Sequence, residues 1–84
     1  AHYNLGNVLL QQNKLQAAVK AYQQALKLKP DYVEAHYSLG NVLLQQGKIE
    51  AAIEAYQQAV KIQPDLTEAY NNLGNALKQQ GKLE

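Results

Sequence analysis

From residue 33 to 46 the apolar positions recur every three or four residues. At about 100° per residue on a helical wheel, His36, Leu39, Gly40, Val42 and Leu43 fall on one side. Glu34, Tyr37, Ser38, Asn41, Leu44 and Gln45 fall on the other. From 50 to 62, Ala51, Ala52, Ile53, Tyr56, Ala59, Val60 and Ile62 make a broad apolar face, and Glu54, Gln57, Gln58 and Lys61 a wet one. Neither stretch alternates as a strand would. Gly47 and Pro64 supply the stops, one by its freedom to adopt a left-handed turn, the other because a helix interior tolerates proline poorly. The pattern predicts five helices, over about 1–13, 16–29, 33–46, 50–63 and 67–80. Asp31 and Asp65 are expected as N-caps, each with a glutamate three residues on (Glu34, Glu68) to complete a capping box. Lys27, Lys29 and Lys61 stand near helix C-termini, where the helix dipole favours positive charge.

The pattern repeats. Residues 1–34 and 35–68 are identical at 23 of 34 positions, and 69–84 keep the same register. Many of the remaining differences are conservative, such as Leu15 to Ile49, Val19 to Ile53 and Leu28 to Ile62. A period of 34 is the length of a helix–turn–helix repeat. The first unit reads His2-x2-Leu5-Gly6-x2-Leu9, Ala18-x3-Tyr22, Pro30. The second reads His36-x2-Leu39-Gly40-x2-Leu43, Ala52-x3-Tyr56, Pro64, and the third begins Tyr70-x2-Leu73-Gly74-x2-Leu77.

These residues resemble the tetratricopeptide repeat over the whole chain, with His or Tyr in its tryptophan slot and Leu in its first tyrosine slot. The "NLGN" wording is similar to long superhelical arrays in bacterial proteins and in O-linked N-acetylglucosaminyl transferases. The resemblance implies an all-α fold, a right-handed α-solenoid of antiparallel helix pairs. It would hold two and a half 34-residue units in one array: 1–32, 33–66 and an incomplete 67–84. Gly40, Ala52 and Ala59 are then the small residues that let paired helices approach, with Tyr56 filling the gap between repeats. Gly6, Ala18, Ala25 and Tyr22 repeat the arrangement.

In this family the first helix of each pair lines a concave groove. The resemblance therefore places Asn7, Asn41 and Asn75 as a ladder along that groove, with Asn4, Ser38 and Asn72 as a second row. Helices pack about 8–10 Å apart and an extended peptide rises about 3.3 Å per residue, so one rung would meet roughly every third residue of a bound segment. A carboxamide both donates and accepts, so it can grip a peptide backbone without reading side chains. Tyr3, Tyr37, Leu10 and Leu44 flank the rows, and Asn71 and Lys78 replace them in the third unit. Gln11, Gln45, Glu34 and Glu68 complete the expected groove, with Tyr37 read as a groove contact in preference to core. A second role stays open for the asparagines: hydrogen bonding to a neighbouring helix, which would hold the angle between repeats. The transferase arrays carry an asparagine ladder at the neighbouring slot, and Ser38 interrupts it here. Relatives that clamp the C-terminal carboxylate of chaperones need lysines and an arginine on this face. The matching positions hold Tyr3, Ser38, Glu68 and Asn72, and only Asn7 agrees, so no chaperone-tail binding is expected.

Composition narrows the remaining classes. Of the 84 residues 46% are apolar and 18% charged, and the net charge is +1 with the basic residues scattered. That is no electrostatic footprint for nucleic acid or an anionic membrane, and no run reaches the length of a membrane span. Cysteine is absent, which excludes a disulfide framework and thiolate metal sites. His2 and His36 are equivalent residues of adjacent repeats, too far apart to share one zinc ion. No phosphate loop, nucleophile elbow or H-E-x-x-H occurs. The chain is therefore expected to be no enzyme, to need no cofactor or metal, and to be cytoplasmic.

Repeat arrays normally carry polar caps, and Leu73, Leu77 and Leu83 have no obvious cover. The expectation is a piece of a longer array, natural or engineered, whose end faces invite head-to-tail self-association. Three functions remain in view: a scaffold that binds an extended peptide in its groove, a self-assembling structural array, and a targeting appendage of a separate catalytic domain.

Overall fold

Two kinds of turn set the helix boundaries. In the computed structural model, which describes residues 2–83 and the side chains as far as Gly81, the helices are α1 (His2–Gln11), α2 (Leu15–Leu28), α3 (Val33–Gln45), α4 (Ile49–Ile62) and α5 (Thr67–Leu83). Within each pair the turn is a Schellman motif. Lys48 N–H bonds the Leu43 carbonyl and Gly47 N–H the Leu44 carbonyl, and Gly47 adopts φ +78°. One repeat earlier Lys14 bonds Leu9, Asn13 bonds Leu10, and Asn13 takes φ 61°. Asparagine enters the left-handed region more readily than other non-glycine residues, so Asn13 ends α1 two residues earlier than the apolar pattern implies.

The turns between pairs correct the expected caps. Tyr32 N–H bonds the Lys29 carbonyl and Leu66 N–H the Gln63 carbonyl, each at 3.1 Å, which closes a β-turn with proline at its second position. Each turn takes up one residue more after the aspartate. Tyr32, not Asp31, is the N-cap of α3, with no side-chain cap bond, and α5 begins at Thr67, two residues beyond Asp65. His36 donates from Nε2 to the Pro30 carbonyl at 2.8 Å and ties this turn to α3.

The last helix runs further than the expected end at residue 80. Gly81 stands in the slot of Asn13 and Gly47 yet remains helical. α2 and α4 fold back onto α1 and α3, whereas no described helix returns along α5, and its backbone pattern continues unbroken. Leu83, expected to lack cover, has a side chain outside the described residues.

The helices pack in sequence, α1 on α2, α2 on α3, α3 on α4 and α4 on α5, in a slab of 36 × 27 × 17 Å. The expected small-residue joint is present. Tyr22 and Tyr56 are fully buried, as are Ala18, Ala52 and Ala59. A Cβ on Gly40 would lie 2.6 Å from Tyr56 Cε1, and one on Gly6 2.6 Å from Tyr22 Cε1. The bare α-carbons are what admit the rings. Two alanines outside the expected faces, Ala21 and Ala55, are also buried, while Ile62 is exposed. α2 and α4 touch the helices on both sides of them, so their buried arc is wider than one apolar stripe.

Candidate functional site

The ring of Tyr56 lies on Gly40, and its hydroxyl passes the helix to reach the next residue. It donates to Asn41 Oδ1 at 2.5 Å. From α5, Asn72 Nδ2 donates to the same oxygen at 2.9 Å and to the Tyr37 hydroxyl at 3.0 Å. Four side chains from three helices therefore meet in one polar node. Tyr37 also stacks against Tyr56, centroids 6.1 Å apart and tilted 54°, and packs on the core cluster around Leu43 and Ala52. It is drawn further into the packing than its place on the groove stripe implies.

The first repeat builds the same node with one substitution. Tyr22 donates to Asn7 Oδ1 at 2.5 Å, and Tyr3 stacks on Tyr22 at 5.9 Å and on Tyr32 at 4.9 Å. Ser38 holds the place of Asn72. A hydroxyl is shorter and has one proton, so it cannot reproduce the fork by which Asn72 joins two acceptors.

Burial governs the tyrosine chemistry here. It pushes the Tyr56 hydroxyl up to about 12, with the neighbouring Tyr37 adding to the rise and the Asn72 hydrogen bond opposing it. Tyr22 is raised for the same first reason, with Ser38 opposing and Tyr3 adding. Both phenols donate at neutral pH, as the bonds to Asn7 and Asn41 require.

Beside the second node is an open cleft of about 530 Å³. It is lined by Leu10, Asn41, Leu44, Gln45, Tyr56, Asn72, Asn75 and Gln79, none of them charged. Six of these stand in the groove expected from the sequence. Tyr56 and Gln79 were not expected there. Gln79 is in register with Gln45 and Gln11, a signal that the 34-residue period carries. The apolar pattern puts Tyr56 wholly in the core, although a buried phenol needs a partner for its hydroxyl. The other expected groove residues lie outside this cleft: Asn7, Tyr3, Tyr37 and Ser38 are half-buried around the two nodes, and Asn4, Gln11, Glu34, Glu68, Asn71 and Lys78 are exposed. Among the described residues no three or more His, Asp or Glu side chains gather as a metal site, and no helix is long and apolar enough to cross a membrane.

A sequence profile described as tetratricopeptide repeat matches residues 3–67, and a second of the same description matches 55–84. The chain belongs to the tetratricopeptide repeat family. Two solved structures, described as crystal structures of MamA and of MamA protein, are similar to it at TM-score 0.93 and 36% identity. The likeness covers 95% of this chain and 47% and 44% of theirs, so the chain spans less than half their length. No curated protein sequence matches it. As a tetratricopeptide repeat array, the chain is an α-solenoid scaffold for contact between proteins.

Proposed function

We propose that this tetratricopeptide repeat array binds an extended, uncharged peptide segment along its concave face, centred on the cleft between Leu10, Asn41, Leu44, Asn72 and Asn75. The observation that carries the reading is the lining of that cleft, in which two leucines and a tyrosine lie among five carboxamides and no charge intervenes. The leucines offer burial to one apolar side chain. Both hydrogen bonds to Asn41 fall on Oδ1, so its amide protons remain for a peptide carbonyl. Gln45, Asn75 and Gln79 are free of hydrogen bonds to other side chains among the described residues and can turn to a backbone of any sequence. A scaffold of this kind does its work by holding a segment in place, with no chemistry of its own, and a cytoplasmic setting suits its lack of cysteine.

A peptide-array screen followed by titration of the best neutral sequence tests this. Gln45→Ala combined with Gln79→Ala is expected to weaken binding by roughly tenfold with helicity unchanged. Equal affinity of the double variant, or a preference for acidic chaperone-type C-terminal peptides, would refute it.

A second reading, self-association end to end, is favoured by the outer faces of the first and last helices. Leu5 and Val8 of α1 and Tyr70 and Leu77 of α5 are each close to half exposed. Sedimentation across a dilution series separates this from a monomeric scaffold.

A further inference from the structure

A pocket of about 360 Å³ opens between the start of α2 and the turn from α3 into α4, lined by Gln16, Val19, Lys20, Gln23, Gln46 and Lys48. Its charges are of one sign, and its other polar groups are carboxamides. Gln46 Oε1 is buried with no hydrogen-bond partner among the described residues, which leaves Nε2 as the polar atom this side chain can offer. Two helices begin here. Gln16 is the second residue of α2 and Lys48 the N-cap of α4, neither start has a side-chain cap bond, and the first turn of α2 holds no acid. The positive ends of two helix dipoles therefore add to the two ammonium groups. The next repeat supplies a comparison. There Glu50, Ala51, Ile53, Glu54 and Gln80 line a pocket of about 500 Å³, with Glu50 in the slot of Gln16 and Glu54 in that of Lys20. Lys82, in the slot of Lys48, has a side chain outside the described residues. Helix stacking makes the hollow in both places, but the basic wall on α2 is particular to the first.

We propose that the first pocket binds a phosphate monoester dianion, held between the Lys20 and Lys48 ammonium groups, with the amides of Gln16, Gln23 and Gln46 donating to its remaining oxygens. Two ammonium groups match a group that carries a charge of about −2 at neutral pH and offers three terminal oxygens. A carboxylate would balance one of the two charges and use fewer of the donors. No aromatic residue lines the pocket, so it has no platform for a base, and two lysines are no track for a phosphodiester backbone. The ligand is therefore an isolated phosphate group, carried on a side chain of a partner protein or free in solution. The pocket shares no residue with the uncharged cleft beside the second node, so the two sites can be filled independently.

The test follows backbone and side-chain amide signals of the whole chain in nitrogen–proton correlation spectra. Inorganic phosphate, or a neutral peptide with one phosphoserine, is added at fixed ionic strength. Saturable shifts are expected at Gln16, Gln46 and Lys48, and none at Glu54 or Gln80. Tighter binding of the phosphopeptide than of phosphate would assign the site to a protein partner, and equal binding would assign it to free phosphate. Lys20→Glu installs the residue of the second repeat at an exposed position, so the fold should persist while binding weakens by roughly tenfold or more. Gln45→Ala, in the uncharged cleft, should leave phosphate binding unchanged, which separates this site from peptide binding there. Absence of saturable shifts, shifts spread over the chain's other lysines as for an adventitious ion only, or equal affinity of Lys20→Glu would each overturn the proposal.

Discussion

Tyr56 rests its ring on Gly40 and its hydroxyl on Asn41, so two adjacent residues of α3 hold one residue of α4 by shape and by hydrogen bond together. Asn72 then bonds the same carboxamide oxygen from the next repeat. In the first two repeats the asparagine inside the apolar run is the polar end of a joint whose apolar end is the glycine before it.

Removal of the Tyr56 hydroxyl should expose this coupling. Tyr56→Phe is expected to cost about 1 kcal/mol, and Asn41→Ala more, because it also strands the Asn72 amide. In a double-mutant cycle by urea unfolding the two losses should fall short of additive by roughly 0.5 kcal/mol or more. Strict additivity would mean that the bond contributes nothing.

The two nodes differ at one residue, and that difference can be transplanted. Ser38→Asn places in the first node the fork that Asn72 forms in the second, toward Asn7 Oδ1 and the Tyr3 hydroxyl. It should stabilise the chain by roughly 0.5–1.5 kcal/mol, and Asn72→Ser should destabilise it by a similar amount. The change in urea midpoint for each variant is the check.

Alkaline pH should weaken the fold through the buried phenols. Tyr56 titrates near 10.0 when unfolded and about 12 when folded. Its contribution is therefore complete below pH 10 and declines as pH rises from there through about 12, where the unfolded chain holds fewer protons. Tyr22 is shifted in the same direction and adds to the decline. Urea unfolding in a series that passes pH 10 should show this fall, and Tyr56→Phe should flatten it.

The alanine faces are set by the approach of the helices. Ala52 is fully buried beside Tyr56, and Ala52→Leu should overpack the joint and cost roughly 1–3 kcal/mol. That corresponds to a fall in Tm of at least several degrees for a chain of this size. An unchanged Tm would contradict the packing described.

The helix pairs, the glycine contact and the buried tyrosines were legible because each rests on a short-range rule: a period near 3.6, a missing side chain in mid-helix, an aromatic at fixed spacing. The whole repeat could then be placed by its 34-residue period. The role of Asn41 was not legible to the same degree. A groove contact and a bond to a neighbouring helix use the same position, and the choice depends on Asn72, 31 residues away, and on a hydroxyl counted as core. Asp31 and Asp65 read as caps because the local pattern matches a capping box, but proline fixes the turn first and moves the helix start beyond them. Gly81 stands in the slot of Asn13 and Gly47 yet is helical, so a glycine at that slot does not by itself end the helix.

The most direct measurement compares Gly40→Ala with Gly74→Ala by urea unfolding. Alanine favours helix over glycine by about 1 kcal/mol at either site. At position 40 the added methyl would meet a buried ring that is also tied to Asn41, so that gain should be outweighed and stability should fall by roughly 1–2 kcal/mol. At position 74, where the space is open, stability should rise by roughly 0.5–1 kcal/mol. If both variants gained stability equally, the tyrosine–glycine joint would not be what holds each helix pair together.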